Sequence, residues 1–411
     1  MLAKAYEIVT MLAKISLGPP AKGNLFSRRG GENRLLWQKI IFMTDCLFVP
    51  ARRNFGKFLL PLLFLLLAGS GLAMADTNYS VLNENAITVA DPSRVLLISI
   101  AHAGNRLVAV GEHGVIVYSD DNGQTWHQAV VPVRVTITSV AFATPLVGWA
   151  GADYGLVLHT TDGGLTWTKQ IMGAEINQLM VANATQFLAT NPNDPKAQMA
   201  VRRANILMSA GPDKPILSLV AMSPEVAIAF GAYRLAIATN DGGKTWTDLS
   251  LQVADPISHN LYDTAWIGTS LYIAGEAGTV LRSDDQGKTF VLLPTPSENT
   301  LFGIFDAGSN IVLAYGVAGA AFESANQGQS WSQVNVPSQS NLTAGITLKS
   351  GTILLANEAG NVFLSSDNGK NFHMIPGNQG MGIFGVAQAA NGNVVLVGTS
   401  GVRVVPLSSL N

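Results

Sequence analysis

Ser119-Asp120-Asp121-Asn122-Gly123-Gln124-Thr125-Trp126 points to the architecture of the chain, because it recurs. The pattern S/T-x-D/N-x-G-x-T/S/N-W/F starts again at Thr160, Thr239, Ser283, Ser324 and Ser365. The starts are separated by 41, 79, 44, 41 and 41 residues, so four of the five intervals lie near 41. A fixed period of this size is the signature of a repeat architecture. The residues before each box share one syntax, as in LVAVGEHGVIVYS (107–119), LYIAGEAGTVLRS (271–283) and TILLANEAGNVFLS (352–365). Two apolar alternating runs joined through a short Gly turn read as a hairpin. The box then turns the chain into an outer strand. Four antiparallel strands per unit of about 40 residues is a propeller blade.

Each box position has a mechanical task. The acid or amide at position three (Asp121, Asp162, Asp241, Asp285, Asn326 and Asp367) can accept bonds from nearby backbone N–H groups and fix the turn. Gly123, Gly164, Gly243, Gly287, Gly328 and Gly369 can take a positive φ. Trp126, Trp167, Trp246, Phe290, Trp331 and Phe372 offer a large apolar face between sheets. These acids therefore read as structural, since one residue type repeated around a ring rarely makes one active site. A calcium loop lacks its remaining ligands, above all a bidentate Glu at the twelfth position.

Units open near Val95, Thr136, Ile216, Leu261, Leu301, Leu342 and Gly382, which predicts an all-β, seven-bladed propeller of four-stranded blades. The seventh unit ends without a box, and the strand-like segment Tyr79 to Val89 is expected to supply its outer strand. The 79-residue interval holds residues 174–214, rich in Ala, Gln, Met and Leu and broken at Asn191-Pro192-Asn193-Asp194-Pro195. Two helices fit this insertion better than a decayed blade.

Residues 1–75 lie outside the repeat. Ala51 to Lys57 is basic, FLLPLLFLLL (58–67) is apolar, and Ala73-Met74-Ala75 closes the run like a cleavage site. The expectation is a signal peptide over 43–75 cut after Ala75, an exported protein, and a single propeller domain over 76–411. A membrane anchor is the alternative, although its apolar run is short for one. Residues 1–42 read as an upstream extension, with translation starting at Met43. Cys46, the chain's one cysteine, falls in this leader, leaving no thiol or disulfide downstream. The leader holds 10 basic and 3 acidic residues, so of 25 and 27 there remain 15 and 24, a net charge near −9. Nucleic acid is a poor partner for such a surface.

The boxes resemble the bacterial neuraminidase (BNR, Asp-box) repeats of sialidases, sortilin-type receptors and secreted glycosidases. The longer frame, G-x-x-G-x-V/I-x-x-S/T-x-D-x-G-x-T-W over roughly 95–404, resembles the photosystem II stability/assembly factor family and its non-photosynthetic bacterial relatives. That resemblance implies a scaffold binding a protein partner at the cell envelope, an exporter or a membrane-protein client. Its photosynthetic members bind through an arginine-rich face, whereas Arg94, Arg106, Arg134, Arg202, Arg203, Arg234, Arg282 and Arg403 suggest no cluster here.

No enzyme is expected. After residue 75 no Arg-x-Pro and no G-x-S-x-G occurs, and the six His show no ligand spacing, so neither cofactor nor metal is predicted. A carbohydrate-binding or sialidase-like propeller remains the alternative reading. Candidate binding residues are the turns between second and third strands, which share one face: Glu112, His113, Asp153, Tyr154, Tyr233, Arg234, Glu276 and Glu358. Turns of this kind are also polar simply because they face water. The functional reading is a mostly acidic rim suited to a basic or polyhydroxylated partner, with Tyr154 and Tyr233 as contact area. A monomer is expected, touching membrane only through its partner or an uncleaved leader.

Overall fold

Seven antiparallel sheets follow one another along the chain, as the repeat predicts. The computed structural model describes residues 80–375 and 380–410. The leader, its cleavage site, the extension 1–42 and Tyr79 lie outside them. Blade 1 illustrates the unit: strands Leu97–Ala103, Arg106–Gly111, Ile116–Ser119 and His127–Gln128 pair in that order. Six sheets have four strands. Among the described residues the seventh has three, Ile383–Gln388, Val394–Gly398 and Gly401–Val405.

Burial explains why the strands form where they do. Second strands are largely apolar on both faces and buried, wholly so in Val312–Gly316 and Val394–Gly398. They lie in mid-sheet with a neighbouring blade against each face, where continuous apolar runs belong. Core residues form seams between successive blades rather than one central mass. Trp167 of blade 2 packs with Val108, Ile116 and Val131 of blade 1. Phe290 of blade 4 meets Phe230 of blade 3 edge-on, with centroids 5.3 Å apart.

The boxes are built alike. Asp121 Oδ1 accepts from the backbone N–H of Gln124 (3.0 Å) and Thr125 (2.9 Å) and from the Ser119 hydroxyl (2.8 Å). Its Oδ2 takes the Thr125 hydroxyl at 2.6 Å. Asn326 holds the same place in blade 5, accepting Ser330 N–H and donating to the Ser330 hydroxyl. The Thr125 hydroxyl and backbone N–H hold the Asp121 carboxyl at about 2, and those of Thr245 do the same for Asp241. Carboxylates saturated by local donors are anchors of a turn.

Ring closure differs from the expected strand exchange. Residues 80–89 form no strand: the Ile87 N–H donates to His113 O, Ala86 to Val131 O, and Val89 to the Gln128 side chain. This segment lies on blade 1 because its amides find the exposed carbonyls of blade 1's turn and of the link to blade 2. Blades 7 and 1 meet through packing, with Leu97, Val115 and Trp126 against Ala387, Val395 and Val397.

The insertion is helical. Helix α1, Gly173–Thr190, and helix α2, Pro195–Ser209, form a hairpin between blades 2 and 3. Glu175 Oε2 accepts the Met172 N–H at the start of α1, and Asp194 caps α2 ahead of Pro195. Ile176, Met180 and Ala184 of α1 sink into the seam with Trp149, Ile216 and Trp246. Asn183 adds a bond to the buried Asp248 carboxylate at 2.9 Å. Helix α2 stacks on α1 through Ala204 and Leu207.

Candidate functional site

The turns between second and third strands share one face with the links between blades. The first residue of each turn donates its N–H to the carbonyl just before the innermost strand: Glu112 to Leu96, Asp153 to Thr136, Ala232 to Pro215, Glu276 to Asn260, Val317 to Thr300 and Glu358 to Asn341. The second residue then takes a left-handed conformation, as at His113, Tyr154, Tyr233, Ala277 and Ala318.

At the third position five blades carry glycine: Gly114, Gly155, Gly278, Gly319 and Gly360, all at positive φ. The reason is steric. A Cβ at Gly278 would lie 1.6 Å from Ser297 O, and one at Gly319 2.0 Å from Ser338 O. Blade 3 has Arg234 there, at φ +61, directly after Tyr233 at φ +56. Two consecutive left-handed side-chain residues are strained, and such strain concentrates at functional positions. The link after blade 3 accommodates the side chain: His259 O accepts the Arg234 N–H, and Asp255 O accepts its Nη1. Asp255 is buried, its carboxylate taking the N–H groups of Ile257 and His259.

This irregular turn faces α2 across a cleft of about 640 Å³. Its walls include Met199, Arg202, Arg203 and Ile206 of α2, Tyr233 of the turn, and Tyr262 of blade 4. Met199 is 65% exposed, Ile206 59% and Tyr233 53%. Ile257, on the adjacent link, is more exposed still. Large apolar side chains gathered at one exposed place mark an interaction surface. Leu217 and Tyr262 also line the central channel, so the cleft adjoins its mouth.

Charge at this place departs from the sequence reading. The arginines, expected to form no cluster, come together at 202, 203 and 234. Arg203 Nη2 donates to Tyr233 O. Burial pulls the Arg203 guanidinium down to about 10, with Arg234 adding repulsion, and it stays charged at neutral pH. Burial likewise lowers Arg234, whose Nε is buried with no hydrogen-bond partner among the described residues. The cluster was invisible along the chain because it joins a helix to a turn 30 residues away.

The other candidates do not gather into one site. Glu276 accepts Asn260 N–H at 3.2 Å, and Glu358 accepts both Asn341 N–H and Nδ2, so both brace the face. His113 is overlain by residue 87 through its carbonyl. Asp153-Tyr154 abuts the start of α1, where Gly155 lies against Gly173. Only Tyr233 and Arg234 of the eight stand beside the cleft. The α2 residues were missed, although Met199, Arg202 and Ile206 share helical spacing. Lining up the turn triplets EHG, DYG, AYR, EAG, VAG and EAG would have singled out Arg234. Among the described residues no group of three or more His, Cys, Asp or Glu could hold a metal.

Residues 212–371 match the family described as photosynthesis system II assembly factor YCF48, and residues 117–128 match the BNR/Asp-box repeat. A structure of YCF48 bound to D1 peptide is 16% identical, with a TM-score of 0.57 over 78% of this chain and 98% of that one. YCF48 from Cyanidioschyzon merolae is 14% identical at 0.56, over 78% and 97%. The WD40 propeller domain of Doa1 is 12% identical at 0.53, over 78% and 95%. At such identities the structural likeness carries the fold. No curated protein matches the sequence.

Proposed function

We propose that this YCF48-like BNR β-propeller is a protein-binding scaffold that docks a polypeptide in the cleft between α2 and the Tyr233-Arg234 turn. The observation that carries this is the cleft itself: exposed Met199, Ile206 and Tyr233 converge where the one non-glycine turn is strained. Evenly spread solvated turns would not produce that concentration. A polypeptide ligand is supported by the YCF48 structure bound to D1 peptide. A binding role rather than an enzymatic one fits acids whose lone pairs are occupied within their own turns. The role as an envelope or export accessory rests on the signal-like order of residues 51–75.

A photo-crosslinking residue at position 206 tests the site, with position 292, on the outer edge of blade 4, as the exposed control. The expected result is a discrete polypeptide adduct from 206 that is absent from 292 and is lost with Tyr233→Asn while the fold persists. Identical adducts from both positions would overturn the site. Glycan-array binding that survives deletion of the α1–α2 hairpin would favour the carbohydrate reading instead.

A further inference from the structure

We infer that the segment this cleft accepts is acidic and amphipathic, with apolar side chains seated on Met199, Ile206 and Tyr233 and carboxylates meeting Arg202 and Arg203. The inference rests on the docking reading above and fixes the chemistry of its partner.

The charge balance of the cleft carries it. Arg202 is exposed and makes no hydrogen bond or ion pair among the described residues. Arg203 is half-buried and donates to a neutral carbonyl, that of Tyr233. A guanidinium bonded to a carbonyl keeps further N–H donors for a carboxylate, which it binds in bidentate geometry. The acid lining the cleft, Asp213, is already paired with Lys214 Nζ at 2.7 Å. Across the seam, Asp255 is enclosed by its own loop, and Asp248 is held by Asn183 and Ser250. Both carboxylates still act on Arg203 and Arg234 across the seam, so the surplus positive charge at this mouth is that of the exposed Arg202, against a chain that is acidic beyond its leader.

Geometry sets the apolar half. Met199 and Ile206 lie seven residues apart on α2, with Arg202 between them on the same face, so apolar and cationic groups alternate along one wall. Tyr233 stands on the opposite wall, held by its left-handed backbone. A concave cleft with two walls suits a chain segment more than a flat lipid surface, though arginines and exposed apolar groups could also engage anionic lipid.

The test pans a random 16-residue phage-displayed peptide library on the full-length protein and on its Arg202→Glu and Arg202→Lys variants. Vesicles of phosphatidylglycerol and of phosphatidylcholine run in parallel. The expected result is recovery of peptides enriched in Asp or Glu together with Leu, Met or Phe. Their affinity should fall at least tenfold with Arg202→Glu, be largely retained with Arg202→Lys, and weaken as salt rises. Recovery of basic or neutral peptides that compete at position 206 overturns the charge inference and leaves the docking reading standing. No peptide enrichment, with or without retention on phosphatidylglycerol vesicles, overturns both.

Discussion

The turn of blade 4 and the turn of blade 3 occupy equivalent places and obey opposite rules. In blade 4, Glu276-Ala277-Gly278 closes tightly on the link that follows the blade, and Gly278 has no room for a side chain. In blade 3, Ala232-Tyr233-Arg234 keeps the same backbone path with two bulky left-handed residues, and the neighbouring link bends around Arg234. The first turn is optimised for closure of the ring. The second forgoes that fit and gains a cleft wall. Repeats supply stability, and departures from them supply candidates for binding.

Five measurements test this contrast. The largest effect belongs to the seams: Trp167→Ala should lose about 3–5 kcal/mol in urea denaturation, because a buried aromatic leaves a cavity between two blades. Gly278→Ala comes next, at about 2 kcal/mol or more, since the added Cβ meets Ser297 O and the residue is held at φ +71. A stability loss below about 0.5 kcal/mol there would remove the physical basis of the comparison. Asp121→Ala should cost about 1–2 kcal/mol, in the range of a lost cap, and Asp121→Asn less, as the natural Asn326 indicates.

Acid titration reads the boxes together. Asp121 and Asp241 sit at about 2, below an unfolded carboxyl near 4, so their stabilisation is complete above pH 4 and is lost as pH falls toward 2. Thermal melts across that window should show a steep decline, weaker in an Asp121→Asn variant. The smallest stability effect should be that of Tyr233→Asn, within about 1 kcal/mol, because Asn tolerates the left-handed region and little buried area is lost. Its effect on the crosslink from position 206 should nonetheless be large. A variant that melts early would instead make Tyr233 a structural residue.

Most of the fold was legible because its causes are local. A box bonds within eight residues, and a hairpin pairs within about fifteen, so the period, the strands and even the two helices could be read in order. Reading the N-terminal segment as the outer strand of blade 7 failed for a physical reason. Residues 80–89 have the composition of a strand, but the carbonyls they reach are His113 O and Val131 O on blade 1. The charge beside the cleft was not legible in the turns alone. Counting acids at turns gave the whole rim one sign, while Glu276 and Glu358 are turned to Asn260 and Asn341 and Arg203 reaches the Tyr233-Arg234 turn from another element.

The repeat is written in the chain: six boxes near a 41-residue period, their anchoring acids or amide, their glycines and their seam aromatics. Each of those features is satisfied by neighbours along the chain, so spacing alone exposes it. Where Arg202 and Arg203 stand relative to Tyr233 and Arg234 is set by the folded molecule alone. Their meeting depends on how the helical hairpin seats in the seam between blades 2 and 3, through Ile176, Met180 and Leu207. That packing is cooperative and non-local, and it leaves no period in the sequence to read.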